Sequence, residues 1–146
     1  QGKIQEAIYK FSQENIKLVV AGRTDAGVHA TGQIAHFETA IKRPKDKWLL
    51  GLNSFLPEDI RINYIKFVES DFHARFSALS RSYRYIIYNN IVKPCINRHK
   101  VGWYFLKNLN ENKMQEAGKR LIGEKDFSCL DQHIANQNHQ LSALMI

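Results

Sequence analysis

The stretch that most limits how this chain can fold is residues 16–39. A nearly continuous apolar run, IKLVVAG at 16–22, enters a loop with glycines at 22, 27 and 32, and a second run, GQIAHFET at 32–39, follows at once. Short apolar runs rich in valine and isoleucine and bounded by glycine read as strands. In the second run Ile34, His36 and Glu38 alternate with Ala35, Phe37 and Thr39, which is the period of a pleated strand. The connection is short, so the two strands are expected to be antiparallel neighbours. The first lacks alternation, which suits a central strand buried on both faces.

Helical spacing brackets this pair. Residues 3–14 place Ile4, Ala7, Ile8 and Phe11 on one face, and residues 45–56 carry Trp48, Leu49, Leu52, Phe55 and Leu56 up to the terminating Pro57. Further strands are expected at 60–69 (IRINYIKFVE), 80–89 (SRSYRYIIYN) and 101–106 (VGWYFL), with a basic loop at 89–100. Residues 110–122 read as a helix with Met114, Ala117 and Leu121 inward, Asn110 as its cap and Gly123 at its exit. Interleaved strands and helices with local pairing predict an α+β class, a mixed or antiparallel sheet backed by helices on one side.

The chain has 146 residues, 44% of them hydrophobic and 11% aromatic, a size and mix that suit one globular domain with a real core. No stretch approaches the roughly 18 apolar residues of a membrane span, so no membrane partner is expected. Cys95 and Cys129 are far apart and lack CxxC spacing; they read as free thiols of a reducing cytosol, which makes the expected location cytoplasmic. Lysine plus arginine outnumber acids 21 to 14, for a net charge of +7. Such a balance favours a polyanion, because phosphate contacts and counterion release give affinity without sequence preference. A generically basic protein would show the same balance, so charge alone does not choose.

Familiar chemistry is largely excluded. There is no dinucleotide fingerprint, no Walker loop and no nucleophile elbow. The six histidines, at 29, 36, 73, 99, 133 and 139, never pair with an acid at ligand spacing, so no metal is expected. Two segments remain. In GRTDAGVH, Gly22 and Gly27 let the backbone turn sharply and let a substrate approach closely. Asp25 then projects from a strand end, beside an arginine, Arg23, that can hold a phosphate or keep the carboxylate ionised. A plain turn capped by Asp25, with Arg23 solvated, would produce the same pattern. The second segment, residues 71–89, interleaves His73, Arg75, Arg81 and Arg84 with Phe72, Phe76, Tyr83 and Tyr85. Aromatics for stacking and cations for phosphates suit single-stranded or flipped nucleotides. A strand with tyrosines in the core and arginines in water fits the pattern equally well.

Both segments closely resemble the tRNA pseudouridine synthase A family. GRTDAGVHA matches its catalytic-aspartate motif, and TGQIAHFET, LPEDI and DFHARFSA…RSYRYIIYN follow in family order with compatible spacing, from Gln1 to Ser128. The resemblance implies a pseudouridine synthase fold, its N-terminal catalytic half resembling a ferredoxin-like half, in an enzyme of two related α+β halves around a continuous sheet. It implies a cytosolic homodimer that acts on the anticodon stem–loop of tRNA at positions 38–40 without cofactor or metal. The N-glycosidic bond of uridine breaks, the uracil rotates, and C5 is rejoined to C1′. A carboxylate can serve as nucleophile, or as base at C2′ in a competing glycal route.

Residue by residue, the resemblance makes Asp25 the catalytic aspartate. Tyr83 becomes the ring that stacks on the flipped uracil and helps remove the C5 proton. Arg75 becomes the partner that pairs with the aspartate until RNA enters. Arg23, His29 and Arg84 are carried over as RNA or loop contacts, and Gly22 and Gly27 as loop-shaping residues. The alternatives are an inactive remnant and a weak RNA-binding module in which Asp25 only caps a turn.

Both ends depart from the family pattern. The first residue is Gln1, and the family's opening strand would precede it; the family's second half has no counterpart here. After EKDFS the family continues with Phe-Arg and then Cys-Gln-x-Lys-Ser, whereas this chain reads CLDQHIANQNHQLSALMI. With suitable synonymous codons, restoring one T in the Leu130 codon yields FRSAHCQSKSSVKRFDD. The expectation is therefore a catalytic half at 1–129 followed by an out-of-frame tail at 130–146.

Overall fold

A computed structural model describes residues 1–128. Cys129 and the expected out-of-frame tail, 130–146, lie outside the described residues. The chain divides into two units, Gln1–Leu79 and a second that begins at Ser80.

The first unit is built on two helices and one strand pair. Helix α1 spans Gly2–Ser12 and helix α2 spans Lys45–Phe55; strands β1, Val19–Val20, and β2, Ala35–His36, pair antiparallel with Val19 opposite His36. The expected α1 face is the one that packs: Ala7 and Ile8 are buried, and Ile4 and Phe11 lie against the core. Its apolar stripe explains the helix, and its end is fixed by Gln13 in the left-handed region (φ 60°), whose N–H bonds the Tyr9 carbonyl at 2.7 Å. Helix α2 stops because Leu56 precedes Pro57 and is pushed to an extended conformation (φ −84°, ψ 144°). Ile8, Leu18, Trp48 and Leu52 form the fully buried centre, with Val20, Phe37, Ile41, Ile62 and Ile65 packed around it.

Two expectations need correction in this unit. The strand at 16–22 contracts to Val19–Val20, and its only ladder partner among the described residues is β2. Leu18 is buried, but Val19 and Val20 are half-buried, so β1 is not sealed on both faces. Residues 60–69 form no strand. Their backbone is satisfied differently: the Asn53 side chain of α2 donates to the Ile62 carbonyl and accepts from the Ile62 N–H, both at 2.9 Å. The residues that reach the core are Ile62 and Ile65, while Tyr64 is 64% exposed. That spacing is three, not the two that the apparent alternation suggested.

The second unit holds strand β3, Ile87–Asn89, strand β4, Gly102–Tyr104, and helix α3, Glu111–Lys119. β3 and β4 pair in parallel, with Tyr88 opposite Trp103. Of the expected 80–89 strand, Tyr83 makes an isolated bridge and Ile87–Asn89 joins a ladder, while the strand expected at 101–106 is found in its middle. Gly102 is tightly placed, since a Cβ there would lie 2.5 Å from the Tyr85 hydroxyl. Asn110 caps α3 as expected, its side chain accepting from the Lys113 N–H at 3.0 Å. Gly123 beyond it takes a left-handed φ of 98°. The inward face does not materialise: α3 has no buried residue, and Met114 and Leu121 are exposed, because no other element packs against it among the described residues. The result is an α+β mixture of helices with one antiparallel and one parallel strand pair.

Candidate functional site

The loop between β1 and β2 carries Gly22, Arg23, Asp25, Gly27 and His29. Its base is closed twice beyond the ladder: the Ala21 N–H bonds the Ile34 carbonyl at 2.8 Å, and the Gln33 side chain donates to the Gly22 carbonyl at 2.7 Å. Asp25 opens a tight turn, with its carbonyl accepting from the Val28 N–H at 3.1 Å. Gly27 holds the third place of that turn at φ 85°, a value that disfavours any residue with a Cβ. Its role as a loop-shaping residue thus has a local cause, and Gly22 contributes a carbonyl to the loop's closure.

Arg23, Asp25 and His29 are all exposed. Glu6 pairs with Lys3 and Lys10, and among the described residues Asp25 is not ion-paired with Arg23 or Arg75. An exposed carboxylate at the apex of a tethered loop is accessible to a bulky substrate. It can accept hydrogen bonds or attack an electrophilic carbon.

Arg75 sits in the same unit, in a turn fastened to the strand that leaves this loop. The His36 Nδ1, on β2, accepts from the Ala74 N–H at 3.1 Å, and Ala74 is buried. The turn closes on itself: the Ser77 N–H donates to the His73 carbonyl at 2.7 Å, and the His73 N–H donates to the Ser77 Oγ at 3.0 Å. The His73 Nδ1 accepts from the N–H groups of Arg75 and Phe76, each at 3.3 Å. The His73 ring stacks on Phe76 with centroids 4.3 Å apart and meets His36 edge-on at 4.9 Å. The Arg75 guanidinium lies 5.9 Å from the Phe76 centroid, and its side chain is exposed.

Tyr83 and Arg84 belong to the second unit, and both are exposed, Tyr83 at 50%. Close by in sequence are exposed Tyr85 and Tyr88 on the approach to and within β3. In the same unit Trp103 and Phe105 stack at 4.7 Å, and the Lys93 ammonium lies 5.6 Å from the Trp103 ring. The core alternative for the tyrosines of 80–89 is therefore not what this unit shows. Among the described residues no group of three His, Cys, Asp or Glu side chains is placed to hold a metal ion. No helix there is long and apolar enough to cross a membrane.

An open groove in the first unit, lined by Asn15, Lys17, Val19, His36, Phe37 and Glu38, holds none of the expected site residues. The site is an exposed loop and turn, not a cavity. Sequence reading missed the supporting residues Gln33 and His36. A glutamine and a histidine inside an alternating strand carry no signal of what they bind, and the bond from His36 spans 38 positions.

Comparison with known proteins bears on the same residues. A family model described as tRNA pseudouridine synthase matches residues 1–77, which include the Asp25 loop and the Arg75 turn. The chain is 48% identical over 128 residues to tRNA pseudouridine synthase A of Coxiella burnetii, covering 88% of this chain and 49% of that protein. The enzymes of the same name from Pseudoalteromonas atlantica and Shewanella sp. (strain MR-4) are also 48% identical over 88% of this chain, covering 48% and 49% of those proteins respectively. The chain thus spans about half the length of the curated relatives it matches. A matched model over more than half of the residues, together with relatives 48% identical over 128 residues, places this protein in the tRNA pseudouridine synthase family.

Proposed function

We infer that this chain is the N-terminal catalytic half of a tRNA pseudouridine synthase and that Asp25 is its nucleophile. The observation that carries the reading is the exposed Asp25 carboxylate opening a tight turn in a loop tied shut at its base, in a segment that matches the family. Attack on C1′ of a flipped uridine breaks the C1′–N1 bond. The detached uracil turns, C5 displaces the carboxylate at C1′, and the C5 proton leaves to a base. Tyr83 stacks on the uracil and assists that last transfer. Arg75 is assigned to pair with the carboxylate, a pairing that is not formed among the described residues, and Arg23, His29 and Arg84 contact phosphates or shape the loop. The target base must first leave its stack, at a cost of a few kcal/mol, and exposed aromatic rings offset this.

The substrate is the anticodon stem–loop of tRNA at positions 38–40, and the net charge of +7 supports a polyanionic partner. The fold is the N-terminal, ferredoxin-like half of a pseudouridine synthase, active as a homodimer in the cytoplasm without cofactor. The test is tritium release from tRNA labelled at uridine C5, compared with Asp25→Ala. Release by the wild type, abolished in the variant, supports the assignment; equal release from both overturns it.

A second reading, an RNA-binding module without catalysis, is favoured by the exposure of residues 80–93. Positioning governs such chemistry, and a loosely held site can lose orders of magnitude in rate. Under that reading tRNA is retained on a filter while tritium release is absent in wild type and variant alike.

A further inference from the structure

The turn that bears Arg75 is held by two imidazoles, and both use the same nitrogen as an acceptor. A neutral imidazole has one donor and one acceptor nitrogen, whereas the protonated ring has two donors. The His36 Nδ1 accepts from Ala74 at 3.1 Å, and the His73 Nδ1 accepts from Arg75 and Phe76 at 3.3 Å, so each proton resides on Nε2. Protonating either Nδ1 sets an N–H against an N–H. It removes one bond at His36 or two at His73, and protonation of both would oppose two cationic rings whose centroids are 4.9 Å apart.

We propose that His36 and His73 are positioning residues whose Nδ1 lone pairs clamp the Arg75 turn onto the strand that leaves the Asp25 loop, and that the clamp releases when either ring is protonated. The proposal rests on reading Asp25 and Arg75 as parts of one pseudouridine-forming site; the clamp itself rests only on the hydrogen bonds. His36 occupies β2 opposite Val19, so its backbone is fixed by the ladder, and its ring is flanked edge-on by Phe72 at 5.9 Å as well as by His73. The charged groups around the pair are few. Glu14, Lys17 and Glu38 line the groove that His36 faces, and Asp71 and Arg75 flank His73 in the chain. That groove thus holds two carboxylates and one ammonium group.

The consequence is a turn that is ordered while the imidazoles are neutral and loosened once either is protonated. The segment's sequence, DFHARF, then has a double use. Its histidine organises the backbone, and its arginine projects from the organised turn.

Amide exchange and amide chemical shifts, measured by NMR on the full chain between about pH 8 and pH 5, test this site by site. In the wild type the protection of Ala74 falls about tenfold across that range, as expected for loss of one hydrogen bond, while Trp48 and Leu52 in α2 keep theirs. His36→Asn retains an acceptor at the same reach and does not titrate. It makes Ala74 protection independent of pH and leaves the Arg75 and Phe76 shifts responsive. His73→Asn, which can form the equivalent turn, does the reverse. His36→Leu leaves Ala74 unprotected throughout. Ala74 protection that is constant in the wild type, or that falls equally in His36→Asn, overturns the clamp. In tritium-release assays the acid limb of the rate follows the Ala74 midpoint and flattens in the doubly substituted chain. Should the chain release no tritium at any pH, the synthase reading fails on its own, and the exchange data still decide the clamp.

Discussion

Replacing Gly51 with alanine should destabilise the first unit, although the same change in an isolated helix would stabilise it. Gly51 lies inside α2, where alanine is favoured over glycine by about 1 kcal/mol. A Cβ at that position would lie 2.1 Å from Phe11 Cε2 and 2.6 Å from both Cδ2 and Cζ. Three ring atoms of α1 would thus be struck at once, and Phe11 must retreat by more than an ångström to restore contact distance. The ring has little room to do so. Trp48 meets it edge-on at 5.1 Å, and Arg43 covers it at 4.5 Å while donating to the Phe11 carbonyl at 3.2 Å. Overpacking of this kind costs about 1–3 kcal/mol. Set against the propensity gain, the net loss is about 0–2 kcal/mol. Urea unfolding followed by Trp48 fluorescence in a Trp103→Phe background reads the first unit alone. In a Phe11→Leu background the clash is gone, so Gly51→Ala should there become neutral or stabilising, a coupling well beyond the roughly 0.5 kcal/mol of independent sites. A single variant more stable than wild type, or an equal cost in both backgrounds, would refute the close approach of α1 and α2 at this glycine.

Two further outcomes follow from the first unit. Asn53→Ala strands both backbone groups of Ile62 and should cost about 2 kcal/mol, with faster proteolysis at 60–69; a loss under about 0.5 kcal/mol would mean that water replaces the amide without penalty. Glu6 is held below its ordinary 4.5 by its hydrogen bond to Lys10 first and that to Lys3 second. A carboxylate depressed in the folded state contributes stability above its unfolded pKa that is lost as pH falls through the lower folded value. Lys10→Met should therefore raise the Glu6 midpoint in an NMR titration, and added salt should shrink the difference between the two proteins; an unchanged midpoint would contradict the i, i+4 pairing.

Much of the first unit was legible because its signals are local. The α1 face of Ile4, Ala7, Ile8 and Phe11 follows from helical spacing, the end of α2 from Pro57, and the β1–β2 pairing from two apolar runs joined by a glycine-bearing loop. The turn at Asp25 with its strained place at Gly27 follows from GRTDAGVH in the same way. Strand extent was not legible, because a strand exists only where a partner offers its backbone. Residues 60–69 have the alternation but not the neighbour, and Asn53 takes the neighbour's place.

The second unit sharpens the point. Met114 and Leu121 carry the helical period, yet period says which face would be buried and not whether anything covers it. The sequence by itself determined the turn at Asp25, the three helices found among the described residues and the family to which the chain belongs, since these depend on residues near one another in the chain. Only the tertiary structure decided that β3 and β4 run parallel and that Asn53 stands in for a strand. It alone revealed that His36 reaches across to hold the Arg75 turn. Contacts between distant positions form when the backbone closes large loops, and no periodicity in the chain records which loops close.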